Sequence, residues 1–118
     1  MIDANTRARA AADAAADKRG TDIVILDVGD IIGIVESFVI VSASNTRQVR
    51  TIVEAVEARL RAMDGAPPRA TEGLDTASWV LLDYGDVVIH VFLEETRAYY
   101  ALDRLWADAP REVLVNES

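Results

Sequence analysis

"ESFVIVSASNTRQVRTIVEAVEARLRAMDG", residues 36–65, changes its hydrophobic period midway, and that change decides the fold. Its first part, Glu36–Ala43, is almost continuously apolar, as a strand covered on both faces requires. From Val49 onward the apolar residues recur at helical spacing, at Val49, Ile52, Val53, Val56 and Leu60. Asn45 followed by Gln48 has the form of a capping box. Gly65 closes the helix, and Pro67–Pro68 prevent its return. A covered strand feeding an amphipathic helix is the first half of a right-handed parallel crossover, here expected over Ser37–Leu82.

Toward the N-terminus, "TDIVILDV" reads as a strand over Asp22–Val28, and "GDIIG" supplies turn residues. Residues 5–19 are rich in Ala, the strongest helix former. Asn5 stands where a cap is needed, and Lys18, Arg19 and Gly20 form a stop signal. The apolar face of this helix is Ala alone, so it must approach its neighbour closely or pack weakly. Toward the C-terminus, "GAPPRATEGLDTAS" reads as a loop able to carry function. "EETRAYYALDRLW" predicts a helix over Thr96–Trp106, and "REVLV" after Pro110 a short edge strand. The order α-β-β-α-β-β-α, with antiparallel flanking pairs, predicts an α+β fold: a mixed β-sheet packed with helices on one face, in two layers.

"WVLLDYGDVVIHVF", residues 79–92, reads as a hairpin. A two-residue turn at Tyr84–Gly85 would set Asp83 opposite Asp86 and Trp79 opposite His90. Side chains alternate between faces, so Val80, Leu82, Val87, Ile89 and Val91 form an aliphatic face. Trp79, Leu81, Val88, His90 and Phe92 form an aromatic one, ending in Asp83 and Asp86. Two readings of Trp79 and His90 remain. They belong to an acid-rimmed contact face of interface composition, or to a satisfied core histidine stacked on Trp under another helix.

The chain has 118 residues, the length of one domain. Twenty acidic and 12 basic residues give a net charge of −8, which suits a basic protein partner better than bare nucleic acid. There is no cysteine, hence no disulfide, thiolate metal site or cysteine nucleophile. The N-terminus lacks an apolar signal core, and the longest apolar run is interrupted by Glu36, so a soluble, cytoplasmic protein is expected without a membrane span. One histidine makes zinc improbable, and no phosphate-binding glycine loop or nucleophile elbow occurs, so no cofactor, metal or catalytic set is expected. Carboxylates at Asp27, Asp83 and Asp86 leave a magnesium-dependent reading as the runner-up.

The runs "DIVILDV", "ESFVIVSASNTRQV", Glu72–Gly73, "WVLLDYGDVVIHVF" and "RAYYALDRLW" together resemble the ribosomal silencing factor RsfS, or Iojap-like, family over Asp22–Ala109. The resemblance implies one such domain over 1–118, with the helix 1–20 and the tail 110–118 as its less distinctive ends. It implies a nucleotidyltransferase-like fold without catalytic machinery and a homodimer. It also implies binding to the large ribosomal subunit through large ribosomal subunit protein fourteen, which obstructs joining of the small subunit and represses translation when nutrients are scarce. Members often have Asp-Tyr-Phe where this chain has Glu36–Ser37–Phe38, and Glu at Asp103. Trp79, Asp83, Asp86 and His90 are the contact candidates from the face assignment. Leu82 and Tyr84 enter through the family motif, and Glu72 and Gly73 would frame the same surface. No sequence-specific nucleic-acid contact is expected. A degenerate nucleotidyltransferase-fold enzyme and a dimeric adaptor are the alternatives.

Overall fold

The computed structural model describes residues 3–114. In chain order the elements are α1 (Ala4–Asp17), β1 (Thr21–Asp27), α2 (Gly29–Ile32), β2 (Ser37–Ala43), α3 (Thr46–Asp64), β3 (Ala70–Glu72), β4 (Trp79–Asp83), β5 (Val87–Leu93), α4 (Glu94–Tyr100), α5 (Leu102–Leu105) and β6 (Arg111–Val113). The six strands form one mixed sheet in the order β3-β4-β5-β2-β1-β6. The chain is therefore α+β, as the change of period at Ala43–Asn45 predicts. Val115, the last residue of the expected edge strand, lies outside the described residues.

β2 and β5 run parallel at the centre of the sheet, from Ser37 beside Val87 to Ala43 beside Leu93. The crossover from β2 therefore enters β5, and not the Trp79 strand as the spacing suggested. β4 is antiparallel to β5 and lies beyond it. Periodicity identifies a covered strand but not its neighbour: the aliphatic face of β5 serves the central position as well as that of β4. β1 lies antiparallel on the other side of β2. The expected loop 65–78 holds the short edge strand β3, too brief and too polar to register as an apolar pattern.

α1 and α3 cover one face, over Ile23, Ile25, Val39, Val41, Val80, Leu82, Ile89 and Val91. Ala8, Ala11, Ala12 and Ala15 are fully buried, so the alanine stripe is a close-packing surface. Asp3, not Asn5, caps α1 by accepting from the Thr6 amide at 2.8 Å. Asn45 caps α3, accepting from the Gln48 amide at 2.8 Å, while the Gln48 side chain accepts from Ser44 N at 2.7 Å and donates to the Lys18 and Arg19 carbonyls. One residue thus closes one helix and holds the end of another.

The second face carries Val24, Leu26, Ile40 and Phe92, with Leu102 and Trp106 folded onto it. The expected helix 96–106 is two short helices, α4 and α5, broken where Ala101 turns to φ +51°. That break brings Leu102 and Trp106 back over the sheet. The two long helices occupy one face and these short ones part of the other.

Candidate functional site

The β4–β5 hairpin follows the predicted faces with a register displaced by two residues. Trp79 pairs with Phe92, Leu81 with His90 and Asp83 with Val88. The turn is centred on Gly85–Asp86, closed by Tyr84 N donating to Val87 O at 2.9 Å. Gly85 has φ +92° at the first central position, a conformation that favours glycine. Asp83 and Asp86 therefore do not face one another. A displacement of two keeps every side chain on its face, so the faces stand while the opposed pairs change.

On the aromatic face, Trp79 Nε1 donates to His90 Nδ1 at 3.1 Å. Trp79 also stacks on Phe92 with centroids 4.8 Å apart and meets Tyr100 at 4.8 Å. Phe38 sets its edge against His90 at 4.9 Å and meets Trp106 at 5.7 Å. His90 is 4% exposed, and its Nε2 has no hydrogen-bond partner among the described residues. Because Nδ1 accepts, the neutral ring carries its proton on Nε2. Burial pushes its pKa down to about 4, so the ring is uncharged at neutral pH. His90 is thus an interior histidine hydrogen-bonded to Trp79, and Trp79 itself is half-buried.

At the hairpin tip, Asp83 Oδ1 accepts from Gly85 N at 2.8 Å. Asp86 lies 3.2 Å from Arg7 Nε, and Arg7 donates to Asp64 at 2.8 Å. The Arg7 guanidinium also sits 5.9 Å over the Tyr84 ring. This buried cation ties the start of α1, the end of α3 and the hairpin together. Its signal in the sequence was its place inside the alanine stripe, three residues after Ala4 and four before Ala11. Among the described residues the buried Tyr84 hydroxyl has no hydrogen-bond partner, and burial, with Glu57 nearby, pushes its pKa up to about 12.

The eight sequence candidates therefore divide. Leu82, Tyr84 and His90 are interior; Trp79, Asp83 and Asp86 are half-buried; Glu72 and Gly73 are exposed. Gly73, at φ +91°, lies so close to β4 that an added Cβ would fall 2.1 Å from the Trp79 carbonyl oxygen. It holds the β3–β4 connection against the sheet. The carboxylates of the magnesium reading do not converge: Asp27 ends β1 and Asp83 ends β4, with β2 and β5 between. Three strand spacings separate them by about 14 Å. Among the described residues no group of three His, Cys, Asp or Glu is arranged to hold a metal ion, and no helix is long and apolar enough to cross a membrane.

The family described as "Ribosomal silencing factor during starvation" matches residues 1–118. The chain is 41% identical over 100 residues to ribosomal silencing factor RsfS of Bacillus subtilis, covering 85% of this chain and 84% of that one. It is 32% identical over 87 residues to mitochondrial assembly of ribosomal large subunit protein 1 of Mus musculus, covering 72% of this chain and 38% of that one. Among solved structures, a crystal structure of a Chromobacterium violaceum protein superposes with a TM-score of 0.86 at 29% identity, covering 97% of this chain and 94% of that one.

Proposed function

The chain belongs to the RsfS family of ribosomal silencing factors, and from that premise we propose that it binds the large ribosomal subunit through ribosomal protein fourteen of that subunit and bars the small subunit from joining. What carries the reading is the family match along the whole chain. The mouse relative, whose name refers to assembly of the ribosomal large subunit, favours the same partner. The mechanism is steric. A body 32 × 32 × 29 Å seated on the joining surface excludes another particle by volume and needs no catalytic group. The contact would use Asp83 and Glu72 as acidic groups that steer a basic protein toward the hairpin, with Asp86 held beside them by Arg7. Trp79, braced by His90 and Phe92, lies at the other end of β4, about 13 Å along the strand from Asp83. A second copy of the chain would cover the exposed Tyr99, Tyr100 and Leu105, which fits a homodimer.

Sedimenting the protein with purified large and small subunits through sucrose tests the function. Comigration with the large subunit and fewer joined ribosomes is expected. Protein left at the top of the gradient, with normal joining, overturns the proposal. The site is tested by Asp83→Asn with Glu72→Lys: asparagine still accepts from Gly85 N, and Glu72 is exposed, so the fold is retained. Affinity should fall on the order of tenfold, and unchanged affinity moves the contact off the hairpin.

A further inference from the structure

The net charge of −8 conceals a gathering of cations at one end of the sheet. β2 and β5 are parallel, so the β4–β5 turn, with Asp83 and Asp86, lies at the end of the sheet opposite the close of β2. Seven residues of β2 separate the two ends by about 20 Å. Where β2 closes, Lys18, Arg19, Arg47, Arg50, Arg97 and Arg104 gather, half of the chain's 12 basic residues.

Elsewhere the cations divide: Arg61 and Arg69 are exposed, Arg69 packing over Gly85 at the hairpin tip, while others are paired. Arg7, Arg9 and Arg59 are held by Asp64 and Asp86, Glu112, and Asp17. Among the described residues, Lys18, Arg19, Arg47 and Arg104 are exposed and form no ion pair. Arg50 donates to the Leu74 and Asp75 carbonyls, which orient its guanidinium without neutralising it. Lys18, Arg19 and Arg47 line one depression of about 440 Å³ with Ser44, Asn45, Gln48 and Thr51, and no acid lines it. A second depression of about 650 Å³ shares Asn45, Arg47 and Thr51, adds Arg50, and is bordered by Glu54. A third holds Arg97 and Arg104 beside Asp22 and Glu94. The cationic character is therefore strongest at Lys18–Arg19–Arg47 and weakens outward.

We propose that the surface formed by Lys18, Arg19 and Arg47, continued by Arg50, seats the phosphate backbone of ribosomal RNA. Phosphates present a regular line of negative charge, and cations that meet them release condensed counterions. The Ser44 hydroxyl and the Asn45 side-chain amide are neutral donors from which phosphate and sugar oxygens would accept, while the Thr51 hydroxyl donates to the Arg47 carbonyl at 3.0 Å. Such contacts fix position without reading sequence. The acidic tip would meet protein and the cationic end RNA, giving two points of attachment about 20 Å apart. The inference rests on the large-subunit reading above.

The test compares the full-length protein with Lys18→Gln/Arg19→Gln/Arg47→Gln for binding to purified large subunits across a salt series, with hydroxyl-radical footprinting of the ribosomal RNA. Binding to isolated ribosomal protein fourteen serves as the control for folding. The variant should keep the isolated protein as a partner and bind the subunit on the order of tenfold more weakly, with a log–log salt slope smaller by about 2. The rRNA protection of the unaltered protein should also disappear. Equal affinity and slope for a folded variant overturn this inference alone. Weaker binding with an unchanged rRNA footprint assigns the cations to an acidic protein and overturns it likewise. If the unaltered protein does not bind the large subunit, the functional reading fails and this inference with it.

Discussion

The two faces of the sheet are built from different side chains and do different work. Under α1 and α3 the face is aliphatic and dry, and the alanine stripe lets α1 approach closely. Under α4 and α5 it is aromatic, includes a histidine, and opens at Trp79 toward solvent. An aliphatic face gains stability from area removed from water and from close packing. An aromatic face adds polar atoms that require partners, and with them a response to pH and a place for contacts. The comparison teaches that the same two strands, β4 and β5, carry stability on one side and sensitivity on the other.

That contrast can be broken at several points. The largest effect is expected on the aliphatic side. Leu82 is fully buried, so Leu82→Ala should cost about 2–5 kcal/mol in urea unfolding, through lost transfer energy and a cavity.

The aromatic side should dominate the pH dependence. The His90 ring in the folded chain titrates near 4, below its ordinary 6.5. Between these values the unfolded chain takes up a proton that the folded chain refuses. Stability is therefore full above about pH 6.5 and falls as pH drops toward 4, by up to about 3 kcal/mol. Unfolding curves over that range should lose this component in His90→Leu; an unchanged profile would place the pH response elsewhere.

A smaller loss, about 1–2 kcal/mol, is expected for Trp79→Phe. The ring stacking on Phe92 persists, but His90 Nδ1 loses its donor. A cost near zero in thermal unfolding would mean that water replaces the indole. The smallest effect belongs to Tyr99, which is 82% exposed. Tyr99→Ser should shift stability by less than about 0.5 kcal/mol while sharpening any dimer test by sedimentation equilibrium.

Much of the fold was legible in the sequence because it is written in local periods. The strand at Ser37–Ala43, the helix capped at Asn45 and ended by Gly65, and the alternation along Trp79–Phe92 follow from side-chain spacing alone. The candidate site was less legible. The hairpin turn lies one residue further along than paired aspartates require, because Gly85 is the first central turn residue and not the second. His90 and Trp79 had two readings because alternation assigns a face but not what covers it. Arg7 was hidden among alanines, and its two carboxylate partners lie 57 and 79 residues away in the sequence.

By itself, then, the sequence determined the class of the fold, the aliphatic and aromatic faces of the hairpin and, through its long motifs, the family. These depend on residues within a turn or a strand of one another, where spacing alone sets geometry. The tertiary structure decided which strand lies beside β2, that α4 and α5 fold onto the aromatic face, and that His90 is interior. It also decided that half of the cations of an acidic chain meet at one end of the sheet. Each of these depends on elements distant in sequence, and their meeting is chosen by packing and burial of the whole chain, which no local period encodes.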